Sequence, residues 1–163
     1  KWAIQGDVEL EYDLLALEDP QNIVVDLCYH EGRKDHYAVV FGFDWVGRAH
    51  GDTNNNAEDN HGMPRTCVIK YPVAVDIDEW VLQGSWEAWK SRLVGKALSD
   101  YKLPRNKKVR VKIARAGKGI RLFAGSALLW EGEDEAYQEG ALLFFSDCRV
   151  RMDNLSITFK PVK

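Results

Sequence analysis

The sequence predicts an all-β protein, a two-sheet antiparallel jelly-roll sandwich with at most one short helix near 85–95. Three observations carry that expectation. Short apolar runs alternate with polar residues at a period of two. Nearly every run is closed by Gly, Asp, Asn, Ser or Pro, as consecutive antiparallel strands are. The 163 residues, 45% hydrophobic and 29% charged, suffice for one domain, 1–163, with a two-layer core.

Taken in order, Asp7 to Leu17 (DVELEYDLLAL) sets Val8, Leu10, Tyr12 and Leu14 against Glu9, Glu11 and Asp13, a half-buried strand with solvated acids on its outer face. After the turn Asp19-Pro20-Gln21-Asn22, NIVVDLCY reads as a second strand and YAVVFGFDW, from Tyr37, as a third. These first three are expected to form a meander. From Val46 to Arg65 periodicity disappears, which marks a long loop. TCVIKYPVAV returns to strand character, with Pro72 at an edge, bulge or strand end. Ser85 to Leu98 offers a Ser N-cap, Glu87 in the first turn and Trp86, Trp89, Leu93 and Val94 at helical spacing, so it is either a short helix or an excursion between strands.

The last third is the clearest. Val109, Val111 and Ile113 alternate with basic residues, and Arg110, Lys112 and Arg115 are read as one outer face, solvated or open to an acidic polysaccharide. Gly117 and Gly125 stand in tight turns that favour positive φ. Strands follow at Ile120, Ala127, Gly140 and Arg149, with the acidic stretch Glu131 to Glu139 read as a charged surface loop. Trp130 is assigned to the core. The total is about ten or eleven strands.

Composition excludes several function classes. A net charge of −3 gives no basic field for nucleic acid. No run of about 18 apolar residues is present to span a membrane. Cys28, Cys67 and Cys148 are odd in number and form no CxxC, which argues against a disulfide framework or a zinc knuckle and for buried thiols, with one disulfide plus a spare thiol left open. The chain begins at Lys1 rather than Met, consistent with a removed leader or a neighbouring domain of the same parent chain. An extracytoplasmic location, periplasmic or secreted, is expected.

The order "GIRLFAGSALLW", acidic loop, "EGALLFFSD", "VRMDNLSITF" resembles the closing strands of the concanavalin-A-like lectin/glucanase superfamily, most closely the 3-keto-disaccharide hydrolase type of domain. The matching features are the turn Phe123-Ala124-Gly125-Ser126, the Gly-led apolar strand Gly140 to Phe145, and Asp153-Asn154 in the last strand. The resemblance implies a jelly roll whose sugar lies on a concave sheet or its rim. It also implies a structural calcium held by Asp153 with Gly6 or Asp7.

Trp45, Trp80, Trp86 and Trp89 gather in or beside the irregular middle, where flat indole faces could stack on pyranose rings or could instead dock into the core. Asp76 and Asp78, two apart beside Trp80, are candidates for a glycosidase carboxylate pair, against solvated strand-end charge. The Glu-x-Asp-x-x-Glu motif of laminarinases is absent from VDIDEW. Asp52, Asn56 and Asp59 or Asn60 supply oxygen donors at spacings calcium accepts and resemble, in type, the calcium loop of legume lectins; His50 and His61 flank them.

These features favour a carbohydrate-binding module of a larger carbohydrate-active protein, with polysaccharide or oligosaccharide as partner and calcium as a structural ion. A glycoside hydrolase or lyase of the same fold and a structural protein-interaction sandwich are the alternatives.

Overall fold

The computed structural model describes residues 2–18, 23–32, 35–41, 66–71, 92–99, 101–146 and 148–160. They form eleven strands: β1 Trp2–Gln5, β2 Asp7–Ala16, β3 Ile23–His30, β4 Asp35–Phe41, β5 Thr66–Tyr71, β6 Lys96–Ala97, β7 Lys108–Ala116, β8 Gly119–Ala124, β9 Ala127–Glu133, β10 Glu139–Ser146 and β11 Val150–Lys160. No helix occurs among the described residues, and Arg92 to Leu93, inside the stretch expected to be a short helix or an excursion between strands, are a turn and a β-bridge to Ile69. No described helix is long and apolar enough to cross a membrane.

The strands make two antiparallel sheets, a jelly-roll sandwich. One has five strands in the order β1-β10-β3-β4-β5, the other six in the order β11-β2-β7-β8-β9-β6. The expected meander of the first three long strands is therefore wrong: β3 and β4 pair as a hairpin, but β2 lies in the opposite sheet between β11 and β7. Both β2 and β3 have apolar inner faces, so alternation alone does not say which sheet each joins.

The two sheets differ in how their outer faces are treated. On β2 buried and half-buried positions alternate strictly, with Val8, Leu10, Tyr12, Leu14 and Ala16 inward, as expected of a sheet with one wet face. All seven residues of β4 are buried. Its run YAVVF has no polar phase, and Ala38 and Val40 on the outer face are as dry as Tyr37, Val39 and Phe41 on the inner one. The five-stranded sheet is thus covered on both sides at β4, while Phe145 on the outer face of β10 is 57% exposed. Trp130 lies in the core as predicted, and its Nε1 donates to the Val94 carbonyl at 2.6 Å. Gly117 and Gly125 have φ of 55° and 60° in their hairpin turns. Cys28, Cys67 and Cys148 are free; Cys28 and Cys67 are buried in strands, and burial pushes the Cys67 thiol up to about 12.

Candidate functional site

The outer face of the five-stranded sheet carries one carboxylate in unusual surroundings. Asp26 lies on β3, opposite Ala38 of β4 on one side and Leu143 of β10 on the other. Neither neighbour can solvate a charge, and the side chain is only 16% exposed. Burial pushes its carboxyl up to about 7. His36 Nε2 stands 3.7 Å from Asp26 Oδ1, within ion-pair reach but beyond a good hydrogen bond.

Two tyrosines frame this pair. His36 and Tyr71 are register partners across β4 and β5, so their rings stack, 4.3 Å between centroids and 12° between planes. Burial, reinforced by the Asp26 charge, raises the Tyr71 phenol above its usual range. Tyr29 arrives through a β-bulge. Between Leu27 and His30, β3 holds one residue more than either neighbour, Cys28 takes a φ of 60°, and the Tyr29 ring comes to lie 5.5 Å from His36. Gly140 on β10 makes the bulge possible, because a Cβ there would sit 2.3 Å from the Cys28 carbonyl carbon.

A second carboxylate braces the same end of the sheet from the inner side. Asp134 accepts from the Tyr37 hydroxyl, from Lys70 Nζ at 2.7 Å and from the Ala136 amide at 2.9 Å. The Tyr137 amide donates to the Tyr37 hydroxyl, and the Tyr137 hydroxyl donates to the Tyr71 carbonyl at 2.7 Å. Burial alone would raise the Asp134 carboxyl, but the Lys70 and Tyr37 hydrogen bonds outweigh it and hold the group below its usual range. The acidic stretch is therefore not simply a charged surface loop. Glu131 and Glu133 belong to β9, and Asp134 is an anchor whose bonds reach β4 and β5. Asp26 and Asp134 act on opposite faces of β4, so they do not form a glycosidase pair.

The predicted site residues Asp76, Asp78, Trp45, Trp80, Trp86, Trp89, His50, His61, Asp52 and Asn56 lie outside the described residues. Their flanking residues are defined. Phe41 and Thr66, which bound 42–65, are partners at one end of the β4–β5 ladder. Tyr71 and Arg92, which bound 72–91, stand at the other, where the Lys70 amide donates to the Arg92 carbonyl at 2.9 Å.

Asp7 and Asp153 are not brought together. Asp153 opposes Asp13 near the far end of β2 from Asp7, six residues or about 20 Å along the strand. Asp7 accepts from the Gly117 amide at 2.7 Å, while Asp153 meets Arg151 at 3.0 Å and Lys108 at 3.6 Å. The Gly6 carbonyl accepts from Arg115.

On the six-stranded sheet, Glu9, Glu11 and Asp13 of β2 face Lys108, Arg110 and Lys112 of β7. Lys112 meets Glu9 at 2.7 Å, Arg110 meets Glu11 at 2.8 Å and Asp13 at 3.3 Å, and Lys108 lies 3.8 Å from Asp13. The basic face is consumed by the acidic strand beside it. Arg115 was expected on that face and is not there: it is two residues from Ile113 and shares its inward parity. It is 1% exposed, donating to the Gly6 carbonyl at 3.0 Å and Gln138 Oε1 at 2.9 Å.

Toward the other edge of this sheet, Gly95, Lys96, Gly119, Arg121, Glu131, Gly132 and Glu133 line a shallow groove of about 460 Å³. Sequence reasoning missed both this groove and the Asp26 site. Asp26 was the readable signal, a lone acid at an outer-phase position of an otherwise apolar strand.

No protein-family model matches the sequence, and no curated protein matches it. Solved structures do match in three dimensions. The carbohydrate-binding module CBM66 from Bacillus subtilis superposes with a TM-score of 0.61 at 11% identity, over 96% of this chain and 77% of that one. The shared feature is the jelly-roll fold. A tetrameric galectin from the ball sponge Cinachyrella sp. aligns over 97% of this chain and 99% of its own, at 12% identity and a TM-score of 0.49.

Proposed function

We propose that this jelly roll is a carbohydrate-binding module of a larger extracytoplasmic protein, and that it holds its saccharide at the corner formed by Asp26, Tyr29, His36 and Tyr71. One observation carries the reading: a desolvated carboxylate and a histidine are framed by two half-buried tyrosine rings at one end of the five-stranded sheet. A sugar presents C–H faces that suit such rings and hydroxyls that suit such acceptors. The sequence supports it, since Trp80, Trp86 and Trp89 fall between Tyr71 and Arg92, both of which stand at this end of the sheet. The fold shared with a module named for carbohydrate binding supports it as well.

Calorimetry against a panel of neutral oligosaccharides tests the proposal. Binding without product formation is expected, and Tyr71→Ala should weaken it by about tenfold or more. Unchanged affinity in both Tyr71→Ala and Asp26→Ala would remove the corner as the site. Calcium bound through Asp52 and Asn56 is a structural ion in this reading, so chelation should lower the melting temperature without abolishing the fold.

A hydrolase or lyase, including the 3-keto-disaccharide hydrolase type, is the second reading. It is favoured by the Asp26 carboxyl at about 7, the range of a general acid near neutrality. Polysaccharide cleavage abolished by Asp26→Asn or Asp78→Asn would establish it in place of pure binding.

A further inference from the structure

The groove on the six-stranded sheet has a composition that the corner site does not explain. Its floor lacks side chains. A Cβ on Gly95 would lie 2.0 Å from the Glu131 carbonyl oxygen and one on Gly132 2.2 Å from that of Val94, so the two backbone segments crowd together and only glycine fits either place. Gly119 differs: the nearest neighbour to an added Cβ is the Ala116 carbonyl oxygen at 3.4 Å, an ordinary contact, so a side chain fits there.

The walls are charged, and their pairing leaves one cation over. Arg121 and Glu131 are register partners on β8 and β9, and Lys96 opposes Glu131 from β6. Glu131 turns to Lys96, 3.6 Å away, and Glu133 is taken by Lys118 at 2.7 Å. Arg121 makes no ion pair or side-chain hydrogen bond with any of them. Its guanidinium is an open fork in a groove whose carboxylates are already paired with lysines.

This arrangement selects among ligand classes. An apolar ligand would strand the charged walls. A bare dianion such as phosphate would find a single unpaired guanidinium for its two charges, because Lys96 and Lys118 already serve Glu131 and Glu133. A neutral sugar would use those carboxylates as acceptors for its hydroxyls but leave the guanidinium to water. A sugar carrying one carboxylate satisfies every wall group. The volume, about 460 Å³, lies within the usual range of small-ligand sites.

We propose that the groove between β6, β8 and β9 binds a hexuronate unit of an acidic saccharide, its carboxylate held by the Arg121 guanidinium and its hydroxyls by Glu131 and Glu133. The site is separate from the Asp26 corner and does not depend on it. It is also distinct from the basic face of β7, whose Arg110 and Lys112 are committed to β2.

The experiment titrates the full chain with oligogalacturonate, oligoglucuronate and oligomannuronate, each against its methyl ester, which keeps the shape and removes the charge. At least one acid should bind at least about tenfold more tightly than its ester. That preference should shrink with added salt and vanish in Arg121→Gln. Gly119→Val, which adds a branched side chain to the groove lining and keeps the Arg121 charge, should abolish binding of the acid. Both positions lie on the sheet surface, and circular dichroism would verify that each variant folds. Equal affinity for acid and ester, no binding of any of the three acids, or wild-type binding by Arg121→Gln would overturn the proposal. Asp26→Ala serves as the control: it should leave the uronate preference intact, and loss of that preference in Asp26→Ala would also overturn the assignment.

Discussion

Replacing Asp26 by Asn should make the protein more stable, and only above a particular pH. In the native state burial holds the Asp26 carboxyl at about 7, whereas the unfolded chain releases that proton near the ordinary carboxyl value of 3.8. Between these limits the native state binds more protons than the unfolded state, so stability falls as pH rises. At about 1.4 kcal/mol per unit, the window could cost up to about 4 kcal/mol by pH 8. The Tyr71 phenol, raised by burial, stays neutral there, and the facing Ala38 and Leu143 do not titrate. An expectation of about 2–4 kcal/mol follows. Asp26→Asn carries a neutral side chain of the same shape at every pH. Urea denaturation at pH 4.5 should find wild type and variant close together, and at pH 8 the variant should be the more stable by that amount. Parallel pH profiles for the two proteins would refute the reasoning, because they would mean that Asp26 titrates alike in the folded and unfolded chains.

Three further outcomes follow from packing. Gly140→Ala sets a Cβ against the Cys28 carbonyl carbon at a φ of 146° and should cost about 3 kcal/mol or more, measured by chemical denaturation; a wild-type midpoint would show that the bulge yields. Arg115→Ala should lose about 3 kcal/mol by leaving Gln138 and the Gly6 carbonyl without their donor and a hole in the core, whereas Arg115→Met should melt near or above wild type, since the buried guanidinium has only neutral acceptors. Asp134→Asn should cost about 1–3 kcal/mol and speed hydrogen exchange of the amides at 136 and 137; unchanged exchange would show that the loop is held by something else.

The fold was largely legible, and the reason lies in the wet outer face of one sheet. On β2, β7 and β8 water imposes a strict polar phase, so alternation gave the strands, and the Gly117 and Gly125 turns gave the hairpins. Sheet membership was not legible, because an apolar inner face is the same whichever sheet it belongs to; this is why β2 was placed beside β3. Short edge strands such as β1 and β6 carry too few residues to show a period. Arg115 was misplaced through parity: counted from Ile113 it points inward, but its charge suggested otherwise. The candidate site was hidden for a related reason. Tyr29 reaches His36 only because of the bulge at Cys28, and a bulge reverses the parity on which sequence reading depends. Asp134 looked like one acid among several, and only the three-dimensional fold shows the Lys70 and Tyr37 bonds that distinguish it.

The interleaving of strands between the two sheets also constrains the order in which the chain acquires structure. β7, β8 and β9 follow one another through tight hairpins, Ala116 opposite Gly119 and Ala124 opposite Ala127, so their contacts close small loops at little entropic cost. β2 must instead find β7 across about a hundred residues, as in the pairing of Leu10 with Ile113, and Tyr37 must find Asp134 across a similar span. The expected nucleus is therefore the β7–β9 hairpin pair, with the Asp26 corner assembled last. Comparison of folding rates for Leu122→Ala and Val25→Ala tests this order: the first should slow folding, and the second should mainly speed unfolding. Chain synthesis would then deliver the nucleus only after most of its partners, leaving the first strands to wait in the unfolded state for the template that orders them.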